Sequence, residues 1–179
     1  MDDKRTLKTK QLIKITFLDL LKKKPINKIT ISSIARIANI GRGTFYFHYL
    51  DVYDLQEKME DDICLGLEKI FEEHFKSPAD FKQLFLAIID YIVSINEQFS
   101  SLITEQSSDN RLMRKVRKLY ITKMCELMPN KSVSTYHKIK FPFVVSGVIG
   151  VIDDWVKGET ELQKDALALE ISNIIGMIE

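Results

Sequence analysis

The chain is poor in residues that bend or staple a backbone. Seven glycines and four prolines in 179 residues are too few for many short strands and tight turns, and they suit long helices. Its two cysteines, Cys64 and Cys125, stand far apart, which gives neither a disulfide framework nor a metal-ligand spacing; reduced, buried thiols are expected. The three histidines, His48, His74 and His137, are scattered. None belongs to a His-Glu-x-x-His pair, and no Gly-x-Ser-x-Gly or phosphate-loop spacing occurs. Glu72-Glu73-His74 misses the Glu-x-x-His spacing of di-iron bundles. Gly41-Arg42-Gly43 lacks the third glycine and the flanking strand of a dinucleotide loop. An enzyme is therefore not expected, and neither is a metal or a cofactor. Long apolar runs are absent too: the strongest, Phe141 to Ile152, is short and holds Pro142. The opening MDDKRTLKTK lacks the apolar stretch of a secretory signal. A cytoplasmic protein without a membrane partner is the expectation.

What is present is an ordinary globular composition, 45% hydrophobic and 28% charged, in a chain long enough to bury a real core. The net charge of +1 hides an asymmetry. Residues 1–50 hold 11 Lys and Arg against 3 Asp and Glu, and the remainder holds 15 against 22. A basic head on an acidic body suits a polyanion partner for the head.

Nearly every segment carries helical period, and none alternates as a strand. From Lys4 to Leu21 a stripe of Leu12, Ile13, Thr16, Phe17, Leu20 and Leu21 predicts a helix that Pro25 stops. Next comes TISSIARIAN, with Thr30 as N-cap and Asn39 able to end the helix in the left-handed conformation. A second short helix can start at Arg42. A long one follows from Asp51, a plausible cap, to about Phe75, and the break SPAD at 77–80 reads as a boundary. Further helices are expected over Phe81–Asn96, Phe99–Thr104, Asp109–Met128, Val133–Lys157 (ended by Gly158) and from Thr160, with Gln163 completing a capping box, nearly to the C-terminus. About nine helices and no sheet make an all-α fold.

The informative stretch is NIGRGTFYFHY, where five ring-bearing residues follow one another from Phe45 to Tyr49. Five positions sweep more than one helical turn, so some rings must face away from the interior. Two short helices around a tight turn, on a basic segment, have the plan of a helix-turn-helix. Ile34, Ala35, Ala38, Ile40 and Phe45 are apolar or small where the two helices must pack. Phe45 plugs the core with Tyr49 behind it, leaving Tyr46, Phe47 and His48 outside beside Arg42 and Thr44. Hydroxyl and imidazole groups can bond phosphate, a ring can lie on thymine methyls, and Arg42 can reach a guanine edge or a phosphate. Gly43 permits close approach to the groove, and Thr30 stands at a helix N-terminus that attracts phosphate.

Read as a whole, ITISSIARIANIGRGTFYFHYLDVYDL resembles the DNA-binding domain of the TetR family of bacterial regulators. Thr30, Ile34-Ala35, Gly43-Thr44-Phe45-Tyr46, His48-Tyr49 and Leu55 match that family's pattern in order and spacing. The resemblance covers about the first 60 residues. Three positions depart from it: Asn39 replaces the turn glycine, Gly41 the usual hydroxyl cap of the recognition helix, and Val52 the lysine that opens the fourth helix. Tyr53 can take over that lysine's phosphate contact, and Ser32 stands where some relatives carry a longer base-reading side chain. The resemblance implies DNA-binding roles for Thr30, Ser32, Arg42, Gly43, Thr44, Tyr46, Phe47, His48 and Tyr53. It divides the chain into a helix-turn-helix domain at 1–50 and a helical regulatory and dimerisation domain at 51–179, the long helix from 51 linking the two.

FPFVVSGVIGVIDDWVKGE resembles the penultimate helix of a subgroup that includes activators of dihydroxyacetone-kinase operons. In that family the last two helices pair with their copies, which makes Gly147 and Gly150 interface candidates. Packing of these glycines within their own chain is the equal alternative. A seam of Leu167, Ile171, Ile174 and Ile178 at heptad-like spacing reads as part of the same dimer surface. Homodimerisation also follows from mechanism, because so short a recognition helix needs a palindrome. Relatives hold a small-molecule effector between the middle helices. Phe85, Tyr120, Met124, Cys125 and Trp155 are candidates to line such a pocket, plain core packing being the other reading. Arg111, Arg114, Lys115 and Lys118 share a basic face, either solvated or facing an anionic ligand or protein. The resemblance thus implies a homodimeric regulator of a double-stranded DNA operator, under effector control. The alternative is a co-activator that works mainly through protein partners.

Overall fold

The computed structural model of the chain describes residues 4–77, 80–95, 102, 111–126 and 135–178. Among them lie eight α-helices: α1 (Lys4–Leu21), α2 (Ile31–Ile37), α3 (Arg42–His48), α4 (Val52–His74), α5 (Phe81–Ser94), α6 (Arg111–Glu126), α7 (Thr135–Val156) and α8 (Lys164–Ile178). A 3-10 turn, Ile26–Lys28, links α1 to α2, and no strand occurs among the described residues. The all-α expectation holds. The helix expected over Phe99–Thr104 falls, Leu102 apart, outside the described residues. Two compact units divide within α4, between Ile63 and Cys64.

The first unit is built from α1–α3 and the start of α4. Ile13, Phe17, Ile34, Phe45 and Leu55 are sealed from solvent, and burying one such side chain stabilises by roughly 1.5–3 kcal/mol. The buried side of α1 differs from the expected stripe at its edge: Leu18 is buried and Leu12 exposed. Thr30 caps α2 in a reciprocal box, its hydroxyl accepting the Ser33 N–H at 3.2 Å while the Ser33 hydroxyl accepts the Thr30 N–H at 3.2 Å. Two orphan donors are met at once. At the other end Asn39 takes φ 50°, and Ile40 N–H donates to the Ala35 carbonyl at 2.9 Å, the Schellman closure of a helix. Asp51 starts α4 by accepting the Asp54 N–H at 2.8 Å.

In the second unit α5 packs on α8 and α6 on α7. The rings of Phe71, Phe75, Phe81 and Phe85 form a file with successive centroids 5.0, 4.9 and 5.9 Å apart. Lys123 of α6 reaches Glu68 at 2.8 Å and Glu72 at 2.7 Å on α4. α7 is continuous through Pro142. Its end repeats the closure of α2: Gly158 sits at φ 77°, and Glu159 N–H donates to the Asp154 carbonyl at 2.9 Å. The last helix starts at Lys164, not Thr160. The Trp155 indole N–H, 2.6 Å from the Leu162 carbonyl, draws that connection back onto α7, and helical bonding begins only with Leu167 N–H on the Gln163 carbonyl at 2.9 Å.

Candidate nucleic-acid interface

The five consecutive rings separate as helix geometry demands. Phe45 and Tyr49, one turn apart, are buried, with centroids 5.7 Å apart. Tyr46 is half-exposed and Phe47 is 79% exposed, the most open ring among the described residues of the first unit. His48 lies half-buried, its ring edge-on to Phe47 at 5.0 Å, so it faces outward less than its neighbours do. Arg42, Gly43 and Thr44 are exposed at the start of α3. Gly41 has no side chain to cap that helix, and a methyl placed on Gly43 would touch nothing. Thr30 and Ser32 lie exposed at the start of α2 and Tyr53 in the first turn of α4. The nine candidates therefore fall on one stretch of the first unit, and only His48 is partly withdrawn. Val52 is buried: at the position where the resemblance calls for a lysine, the chain places a core residue.

One residue escaped the sequence reading. The Lys58 ammonium lies 3.2 Å from the His48 carbonyl, at the end of α3, and 2.9 Å from the Asp54 carboxylate. It also sits 5.4 Å above the Tyr49 ring. Asp54 in turn accepts the Leu50 N–H at 2.8 Å. Burial alone would raise the Asp54 carboxyl, but the Lys58 ammonium and the Leu50 N–H hold it below the ordinary carboxylate range. Burial, with Asp62 and Asp54 nearby, pushes the Tyr49 phenol up to about 12. The Asp54–Lys58 spacing of four is legible in sequence; the reach to the His48 carbonyl is not. These bonds fix the exit of α3 to α4 without using any outward side chain.

The candidates of the second unit are dispersed. Phe85 is buried in the file of rings, Tyr120 meets Phe71 edge-on at 5.7 Å, and Trp155 is held by the Leu162 carbonyl. Cys125 is exposed, not buried as expected, and Cys64 is half-buried. The Met124 side chain lies outside the described residues. Arg114 and Lys118 are exposed, Arg111 and Lys115 half-buried. Of the expected dimer seam, Leu167 and Ile171 are buried within the chain, on the helix that packs against α5, while Ile174 is 53% exposed; Ile178 lies outside the described side chains. Gly147 and Gly150 are exposed, with nothing near where a methyl would stand. Ile139 and Phe143 continue that face of α7 at 65% and 71% exposure. Among the described residues no helix is long and apolar enough to cross a membrane.

Comparison with known proteins gives the family and the fold. Residues 79–176 match the TetR_C_8 family, described as a transcriptional regulator C-terminal region. An uncharacterized HTH-type transcriptional regulator of Bacillus subtilis, YxbF, is 40% identical over 63 residues, which are 35% of this chain and 17% of that protein. Among solved structures, a TetR transcriptional regulator from Streptococcus agalactiae has the same fold, with a TM-score of 0.70 at 20% identity over 97% of this chain and 96% of its own. The dihydroxyacetone kinase operon activator DhaS aligns with a TM-score of 0.58 at 15% identity, over 93% of each chain.

Proposed function

Because the chain belongs to the TetR family of transcriptional regulators, we propose that it binds a palindromic DNA operator as a homodimer and releases or engages it in response to a small molecule. The observation that carries this reading is the outward face of α3. There Arg42, Thr44, Tyr46 and Phe47 are exposed together while Phe45 and Tyr49 are buried. Arg42 supplies a guanine or phosphate contact, Thr44 and Tyr46 bond phosphate oxygens, and Phe47 lies on thymine methyls. Thr30, Ser32 and Tyr53 hold the flanking backbone, and His48 contributes its ring edge. The basic balance of residues 1–50 adds a salt-dependent attraction. Such a regulator acts in the cytoplasm, on the chromosome.

Two-fold pairing runs through α7 and α8. Ile139, Phe143, Gly147 and Gly150 recur on one side of α7, and Ile174 and Met177 are exposed on α8. Aliphatic and aromatic surface beside bare glycine backbone suits close helix packing. The dimer sets two recognition helices roughly 34 Å or a multiple apart.

A second reading, a co-activator that acts through a protein partner, is favoured by the buried Val52 and the bare Gly41 cap. One experiment separates the two. Genomic fragments are retained on the purified protein at physiological salt and sequenced. Enrichment of a short palindrome supports the direct regulator. Retention without sequence preference, together with capture of a second protein, sinks it.

A further inference from the structure

The second unit holds a polar group with nothing to bond. Tyr120 projects from α6 with its ring edge-on to Phe71, and its hydroxyl is buried without a hydrogen-bond partner. An unmet buried hydroxyl is destabilising, and native proteins keep few of them. The nearest polar groups acting on it are a thiol and a phenol. Burial, and then the neighbouring Cys64 thiol and Tyr91 phenol, push the Tyr120 hydroxyl far above the ordinary tyrosine range, so it stays protonated and can donate. Lys123, one turn further along α6, is already held by Glu68 and Glu72. The facing stretch of α4 carries Gly66, and a methyl there would collide with the Tyr91 hydroxyl. The Tyr91 ring thus occupies room that the missing side chain leaves, and Tyr91 itself is only half-buried.

We propose that the effector is an uncharged molecule bearing a hydrogen-bonding oxygen or nitrogen, anchored by the Tyr120 hydroxyl between α4, α5 and α6 and admitted past Tyr91. The inference rests on the effector-controlled reading above and adds the chemistry of the ligand. An anion would lose its water beside a thiol and two phenols, and the Lys123 ammonium one turn along α6 is already taken by two carboxylates. A hydrocarbon would leave the hydroxyl unmet. An uncharged acceptor meets both demands.

The test uses the full chain, Tyr120→Phe, and three probes of one size: benzamide, benzoate and toluene. Without a probe, Tyr120→Phe raises the unfolding midpoint by about 2–4 °C, since it removes an unmet group. Benzamide binds the native chain and binds Tyr120→Phe about tenfold more weakly, the loss of one hydrogen bond; benzoate and toluene bind neither appreciably. A lowered midpoint in Tyr120→Phe overturns the proposal, because the hydroxyl then has a structural partner. Equal benzamide affinity in both proteins, preference for benzoate, or no binding of any probe overturns it as well. If benzamide binds through Tyr120 yet leaves retention of the operator fragment unchanged, the anchor stands and effector control is what fails.

Discussion

The two units both leave apolar surface in water, and they do so differently. On α3 the open surface is a ring, Phe47, set among Arg42, Thr44 and the hydroxyl of Tyr46. On α7 and α8 it is Ile139, Phe143, Ile174 and Met177 beside bare backbone at Gly147 and Gly150. Rings mixed with donors fit a partner that is itself part apolar and part anionic, as a groove lined by phosphates is. Smooth apolar surface with glycines fits a helix of similar make. Exposure alone therefore says little; its polar neighbours distinguish the two partners.

Substitution at the rings breaks that comparison with the largest effect. Phe45→Ala removes a ring with no exposed surface and should cost about 3–5 kcal/mol, read as a lower midpoint in chemical denaturation and loss of all DNA binding. Phe47→Ala, two positions on, should leave the midpoint within about 0.5 kcal/mol while weakening operator binding. A destabilised Phe47→Ala would mean that its ring packs inside the protein. In the second unit, Phe143→Glu should abolish dimers in sedimentation, a loss of about 2 kcal/mol or more if that ring is central to the contact. Unchanged mass would move the interface elsewhere.

Arg42→Ala sharpens the interface side. Loss of a base contact should weaken the preferred duplex by about 1–3 kcal/mol and relax preference at one base pair. Loss of a phosphate contact would weaken all duplexes alike, and titration against scrambled sequences separates these. Neither result should alter the unfolding midpoint. Thr30→Ala is smaller. It opens the reciprocal cap with Ser33 and should cost about 1 kcal/mol of stability, visible as a shifted denaturation midpoint with unchanged slope.

The head was legible because its signals are local. Thr30, Asn39, Gly41 and Asp51 act through their own backbone or residues a few positions away, so their types alone placed both ends of α2 and the starts of α3 and α4. The body was less legible because its choices are made at a distance. The Thr160 to Gln163 spacing predicts a cap, but the Trp155 indole takes the Leu162 carbonyl and the helix begins later. Leu167, Ile171 and Ile174 share a period, yet on this helix, which packs against α5, the first two are buried and the third is open. Periodicity shows that a face is apolar; it does not say which neighbour covers it. Lys58 was missed for the same reason, since the His48 carbonyl that it holds lies ten residues back along the chain.

The finest comparison is between two helix ends built alike from different residues. α2 and α7 both close with a left-handed residue, Asn39 at φ 50° and Gly158 at φ 77°. In each, the N–H that follows returns to a carbonyl five positions back, from Ile40 to Ala35 and from Glu159 to Asp154. Glycine enters that region without steric cost, and asparagine enters it at a modest one. Asn39→Gly should therefore stabilise the head by a few tenths of a kcal/mol, and Gly158→Asn should destabilise the body by a similar amount. The opposite signs matter more than the sizes. Glycine also loosens the unfolded chain, which opposes the gain at position 39. If Asn39→Gly destabilises the chain, that entropy or an asparagine side-chain bond outweighs the backbone relief, and asparagine would then be the better residue at the turn between α2 and α3.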